Sequence, residues 1–482
     1  MNQPSIKKNF IMNVILTLSS VIFPLITFPY ASRILLPEGT GRVNFAISLI
    51  SYFDIFAQLG IPIYGIRAVA QVRDDKEKMS KVVQELLIIN ICTMLLSYAA
   101  LAAVLFTVPR LFDDRTLFFI ISATLLLNCI GMEWMYKGLE QYTYITVRSV
   151  IFKFIALIAM FLLIHTKEDY VMYGAVSILA ASASNVLNFL NAHKYISFHK
   201  TGKYDFKKHL KPVFVFFAMS CATTIYTNLD NVMLGWMATN TDVGYYGAAV
   251  KIKTVLVSCV TSLGAVLLPR ASYFIEHQEM DEFRRISKKA LQFVFFIAFP
   301  LMLYFILFAK QSIFFLSGDA YAGAIVPMQI IMPTLLFIGI TNILGIQILV
   351  PLGREKTVLI SEIGGAVTDF VLNMILIPHY QAAGAAIGTL CAEAVVLLIQ
   401  YIALRKEMSE IFHSIKVGSI LLSLIGAAAA GLLLSNIVTG NFIVLLVTAC
   451  AFFFVYFIIM MACKDSTAYM LFDQVKRIVK RH

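Results

Sequence analysis

Residues 441–463 read NFIVLLVTACAFFFVYFIIMMAC, 23 positions without one charged side chain. A helix needs about 20 apolar residues to cross the hydrocarbon core of a bilayer. Lipid cannot satisfy open backbone groups, so a run of this kind spans as a closed helix. Similar blocks recur upstream. They fall at 10–36, 43–65, 82–108, 117–137, 147–165, 170–193, 212–238, 244–269, 290–316, 323–350, 357–378, 382–404 and 416–437. With 441–463 they predict an all-α polytopic membrane protein of about fourteen transmembrane helices. A β-barrel would alternate polar and apolar positions in strands of about ten residues, and these blocks do not alternate.

Composition agrees. The 482 residues are 59% hydrophobic and 14% charged, whereas a soluble domain is about half apolar and a quarter charged. The net charge of +11 would suggest nucleic acid in a soluble chain, but here its placement gives another cause. With the N-terminus inside, inside segments and the inner edges of spans hold thirty of the 39 Lys and Arg residues, and outside loops hold four: Arg42, Arg110, Arg115 and Lys167. That asymmetry follows the positive-inside rule. It predicts a multi-pass protein of the plasma (inner) membrane with both termini cytoplasmic and no nucleic-acid partner.

The seven cysteines lie in or beside apolar blocks, with no CxxC spacing, so no metal site and no disulfide framework are expected. The basic N-terminus leads into an apolar run too long for a cleaved signal and is read as span 1. No GxxxxGK[ST], HExxH or GxSxG motif occurs. No cofactor, no catalytic residue and no enzyme activity are expected. No outer loop exceeds about ten residues, which argues against a polymerase or glycosyltransferase.

A repeat is detectable. Gly41, Ala46 and Arg67-Ala68 map onto Gly244, Ala249 and Arg270-Ala271 at an offset of 203. Gly138 and Glu140 map onto Gly353 and Glu355 at 215. Spans 1–6 and 7–12 are therefore read as two six-helix lobes in parallel repeat. The expected division is an N-terminal lobe at 1–198, a basic cytoplasmic linker at 199–211, a C-terminal lobe at 212–408, and spans 13–14 with a basic tail at 409–482.

Ionisable side chains inside spans are costly and usually face a cavity, unless they snorkel to an interface. Arg33 follows Pro24 and Pro29 near the outer end of span 1, and Lys153 lies inside span 5. Either reading fits both residues. Lys251 and Lys253 enter span 8 two positions apart, so at most one faces a cavity squarely. Asp230 lies on a polar stripe with Ser220, Thr223, Thr227 and Asn231 in span 7, and pairing with one of those lysines is plausible. Glu362 and Asp369 are two turns apart on span 11, while Glu393 and Asp54 are near mid-depth in spans 12 and 2. These five carboxylates are candidates for ion coupling or for helix pairing. Arg33, Lys153, Lys251 and Lys253 are candidates for a cationic, anion-binding cavity.

The run 351–393, PLGREKTVLISEIGGAVTDFVLNMILIPHYQAAGAAIGTLCAE, resembles a recurring stretch in Wzx-type polysaccharide flippases. These belong to the multidrug/oligosaccharidyl-lipid/polysaccharide exporter superfamily. The matching pieces are Gly353-Arg354-Glu355-Lys356, Ile377-Pro378-His379-Tyr380, Gly384-Ala385-Ala386 and Glu393. Gln381 stands where the family often has Gly. The resemblance implies alternating-access transport of an undecaprenyl-pyrophosphate-linked oligosaccharide to the outer leaflet, for O-antigen or capsule synthesis. It also implies membrane lipids and polysaccharide polymerase machinery as partners. Two rival readings are a cation-coupled multidrug exporter and a peptidoglycan lipid flippase of the same superfamily.

Overall fold

The computed structural model describes residues 6–200, 202–262, 271, 273–405 and 417–479. Arg270 of the repeat and the expected boundary at 408–409 lie outside these residues. Among the described residues there are helices and no strands. Eleven helices are long and apolar enough to cross a membrane, or twelve if the bent pair Asp319–Ile331 and Thr334–Leu349 counts as one. That pair bends by 44° at Pro333, which has no N–H for the helix ladder. Leu96, Ile425 and Leu433 are 70%, 68% and 68% exposed. Leucine-rich flanks open to that degree suit lipid as the surrounding solvent, not water.

Two of the long helices reverse direction. Ile6–Gln58 breaks at Leu36, with φ 59° and ψ 178°, and Glu355–Ala403 breaks at Gln381, with φ 45° and ψ −124°. Side-chain pairings across the second break place Ser361 against Gln400, and Gly388 against Asn373. The sums of those residue numbers agree, as they must in an antiparallel hairpin. Each break costs a non-glycine residue in the left-handed region. The preceding prolines, Pro29 and Pro378, have no N–H to extend the helical ladder through the approach.

The chain divides into two units, Met1–Gly244 and Tyr245–His482. In the first, the arm after Leu36 runs parallel to Arg115–Gly131. Arg42 meets Asp114, Phe45 meets Phe118, and Asp54 meets Asn128. The arm before Leu36 runs parallel to Tyr142–Leu163, through Met12 with Thr146, Ser19 with Lys153, and Tyr30 with Ile164. Lys207–Met237 packs antiparallel to the arm after Leu36, with Tyr64 on His209 and Phe45 on Trp236. At the far end of that packing Gly41 abuts the Asn240 carbonyl, and Gly244 abuts the Pro37 carbonyl. Positions that the 203-residue offset pairs in sequence are thus both places where backbone meets backbone.

The second unit packs Phe283–Phe308 and Ile340–Leu349 with Ile420–Ala427 and Phe452–Met460 around one core. Tyr304 donates to the Leu445 carbonyl, and Tyr456 to the Phe296 carbonyl. These bonds anchor Asn441–Ala462 to the rest of the unit. Helix Ser466–Val479 follows a turn capped by the Asp465 carboxylate, which accepts from the Thr467 and Ala468 amides.

Candidate functional site

The first unit carries a connected polar chain inside its apolar packing. Asp54 accepts from the Asn128 amide at 3.1 Å and from the Gln58 amide at 3.5 Å. Asn128 Oδ1 accepts from Ser182 Oγ and from Asn185 Nδ2, both at 3.2 Å. Asn185 Oδ1 then accepts from the Arg148 guanidinium at 3.1 Å, which also donates to Ser184 Oγ at 2.5 Å. Arg148 is 3% exposed and pairs with Glu133 at 2.7 Å, and Glu133 pairs in turn with Lys137 at 2.9 Å. The chain runs from a carboxylate on span 2 through spans 4, 6 and 5 to the half-open Glu133 carboxylate at the end of span 4.

Local structure explains how the partners meet. Leu179–Ala183 forms a π-helical turn, which rotates Ser184 and Asn185 relative to the helix before it. A Cβ at Gly131 would overlap the Asn185 side chain, so glycine lets these helices close enough for the amides to bond. Buried amides and charges need such partners, because each unmade bond costs about 1–3 kcal/mol.

Lys153 is held by Ser19 and Ser20, each at 2.8 Å. It reaches sideways to span 1, and no carboxylate neutralises it in those bonds. Arg33 is exposed, and its Nη1 donates to the Pro29 carbonyl at 2.6 Å. That carbonyl lies one turn back and belongs to the proline whose missing N–H interrupts the ladder. Asp230 is buried in the first unit.

In the second unit Lys251 and Lys253 are both half-buried. Asp369 is 2% exposed and accepts from Asn373 at 3.3 Å. Gly388 packs directly on both, and the adjacent Thr389 bonds the Tyr246 hydroxyl at 2.9 Å. Glu393 is buried one turn further along. Glu362 differs from its expected companion Asp369: it is exposed. The two share an angular face, but Glu362 is two turns nearer the helix start, where that face is open.

The structure brings Asp54 into the network of the first unit and Asp369 into a polar cluster of the second. Sequence reasoning missed Asn128, Arg148, Asn185 and Glu133. The signal was present in Asn185, Asn188 and Asn191 at three-residue spacing, and in the lone Asn128 within LLLNCIG.

Comparison with known proteins places this architecture. Residues 6–275 match the family described as "Polysaccharide biosynthesis protein", and residues 216–375 match MatE. The "Putative O-antigen transporter" of Escherichia coli (strain K12) is 23% identical over 408 residues, covering 84% of this chain and 98% of that protein. Its namesake in Shigella dysenteriae is 23% identical over 402 residues, covering 83% and 100%. Among solved structures, the lipid II flippase MurJ in an inward closed conformation superposes with a TM-score of 0.72 at 16% identity, covering 95% of this chain and 99% of that one. An inward-facing multidrug resistance MATE family transporter of the MOP superfamily gives 0.62 at 14% identity, covering 81% and 95%. At such identities the two structures speak for the fold. The chain belongs to the polysaccharide biosynthesis protein family, as a Wzx-like flippase of the multidrug/oligosaccharidyl-lipid/polysaccharide exporter superfamily.

Proposed function

We propose that this flippase carries an undecaprenyl-pyrophosphate-linked oligosaccharide repeat unit from the cytoplasmic to the outer leaflet, for O-antigen or capsule assembly. The observation that carries the reading is Lys153, an ammonium held within the first unit by two hydroxyls, with no carboxylate within ion-pair distance among the described residues. Hydroxyls orient a cation without cancelling its charge, which leaves it able to attract a pyrophosphate. Arg33, Lys251 and Lys253 are assigned the same role. An acidic cavity for organic cations, as a multidrug exporter needs, would not use these four residues. Full-length coverage of two relatives named as O-antigen transporters supports the polysaccharide branch over the peptidoglycan one.

Several further parts belong to this reading. Counting each arm of the two hairpins separately, and the bent pair once, gives fourteen spans. Spans 1–6 and 7–12 act as lobes joined through 199–211, with 409–482 appended. Both termini are cytoplasmic, and the membrane is the inner one. The polymerase machinery takes the product. Transport is coupled to a proton or sodium gradient through Asp54, Asp230, Glu362, Asp369 or Glu393, since no nucleotide motif is present in the chain.

The test replaces Arg33, Lys153 and Lys251 one at a time by Glu and scores surface polysaccharide in cells lacking the flippase. Loss of export at normal protein level is expected for at least Lys153→Glu. Full export by all three variants would end the cationic-cavity reading. Flipping in proteoliposomes that ran unchanged without any ion gradient would end the coupling assignment alone.

A further inference from the structure

The segment after span 6 is basic, and its irregular parts, 196–200 and 202–206, could have been a loose tether. It is instead fastened to the start of helix Lys76–Thr107. Gln84 donates to the Ser197 carbonyl at 2.6 Å and to the His199 carbonyl at 2.9 Å. Ser197 N–H donates to Ser80 Oγ at 3.0 Å, and the Tyr204 hydroxyl donates to Gln84 Oε1 at 2.9 Å. Asp205 N–H donates to the fully buried Glu85 at 2.7 Å. Both walls of the space between are therefore fixed.

That space is a cavity of about 470 Å³, lined by Lys76, Ser80, Ser197, His199 and Lys200 with one carboxylate, Glu77. Two lysines of the surrounding segments are already paired, Lys78 with Asp75 and Lys208 with Glu85. Among the described residues neither Lys76 nor Lys200 has a carboxylate within ion-pair distance. The free amides of the helix start are not the attraction, because the Asp75 carboxylate accepts from Glu77 N–H and Lys78 N–H. The volume is thus lined by two ammonium groups, with Lys200 over the Tyr204 ring, beside His199, Ser80 and Ser197.

We propose that this cavity binds a phosphate ester, the headgroup of an anionic phospholipid in the adjoining leaflet. Two lysines against one glutamate give the lining a net charge of +1 from these three groups. That balance matches the single charge of a phosphodiester better than the higher charge of a free phosphate. The Lys76 backbone stands six residues before the apolar run at 82, or about 9 Å along a helix. That is just beyond a headgroup zone about 5–8 Å thick, a gap that a lysine side chain spans by snorkelling. Basic pockets at this level select anionic headgroups. The assignment does not depend on what the protein transports.

The experiment uses the full chain in detergent, with native mass spectrometry as the readout. The probes are dihexanoyl-phosphatidylglycerol, dihexanoyl-phosphatidylcholine and inorganic phosphate, each titrated separately. Phosphatidylglycerol should bind more tightly than phosphatidylcholine. Lys76→Gln and Lys200→Gln should each weaken it by about fivefold, the effect of one lysine at a lipid surface. Lys78→Gln, which removes a paired lysine beside the cavity, should leave it unchanged. Equal binding of the two lipids would overturn the proposal, as would undiminished phosphatidylglycerol binding by a double variant that elutes as a folded monodisperse protein. If inorganic phosphate bound as tightly as phosphatidylglycerol, and the double variant lost it, the ligand would be a soluble phosphate and the lipid assignment would fall.

Discussion

The Asn128 amide donates to Asp54 at 3.1 Å while its oxygen accepts from Asn185 at 3.2 Å. One side chain thus ties a carboxylate on span 2 to a span 6 amide. Replacing Asn128 by Leu removes both bonds and the one from Ser182, and leaves Asp54 with the longer Gln58 contact. The expected loss is about 1–3 kcal/mol of stability, read as a lower thermal midpoint in detergent. Asp54→Asn keeps the shape and should cost less. If Asn128→Leu melted as the wild type does, the network would be incidental to folding.

Arg148 sits at the other end of that network, nearly inaccessible, with Glu133, Ser184 and Asn185 as acceptors. Arg148→Met should destabilise by about 3 kcal/mol, the low end for a broken buried pair because Glu133 is half open. Arg148→Lys should restore little, since an ammonium cannot fork to acceptors on two helices. A denaturant series on the purified variants decides it, and complete rescue by Lys would refute the forked geometry.

Gly41 and Gly244 offer a steric test. A methyl at Gly41 would overlap the Asn240 carbonyl, and one at Gly244 would overlap the Pro37 carbonyl. Backbone cannot rotate aside as a side chain does. Gly41→Ala and Gly244→Ala should each cost about 2 kcal/mol or more. Gly418, with nothing near its Cβ, should accept Ala without loss. Equal stability of all three variants in thermal melts would contradict the packing.

Asp75 caps the helix that begins at Lys76. The Lys78 N–H, donating to its carboxylate, holds Asp75 below the ordinary range for an aspartate. A depressed folded value means that the cap contributes above the unfolded pKa and is lost as pH falls through the folded one. Amide exchange at Glu77 and Lys78 should therefore be slow at neutral pH and should quicken, relative to Asp75→Ala, only on strong acidification. Identical protection in wild type and variant at neutral pH would dismiss the cap.

Much of the fold was legible because lipid imposes a single rule, apolar length, and residues such as those at 441–463 obey it without ambiguity. The hairpin turns were legible too, as the short gaps between the blocks ending at 36 and 378 and those beginning at 43 and 382. The site was less legible. Arg148 counts as one more inside-facing cation in a charge census, yet it is nearly fully buried. Its burial depends on Ser184 and Asn185, which a π-helical turn reorients, and helical periodicity does not foresee such a turn. Lys153 gave two equal readings in sequence, because nothing in a linear chain says that Ser19 and Ser20 lie beside it.

The reversals at Leu36 and Gln381 leave no slack between the helices they join. Under a pulling force from either end, a helix normally leaves a bilayer alone when a flexible loop can pay out behind it. Here one residue separates each pair of arms, so tension on the first arm passes at once to the second. Each pair should therefore be extracted as one mechanical element, with a single rupture where two apolar runs would ordinarily give two.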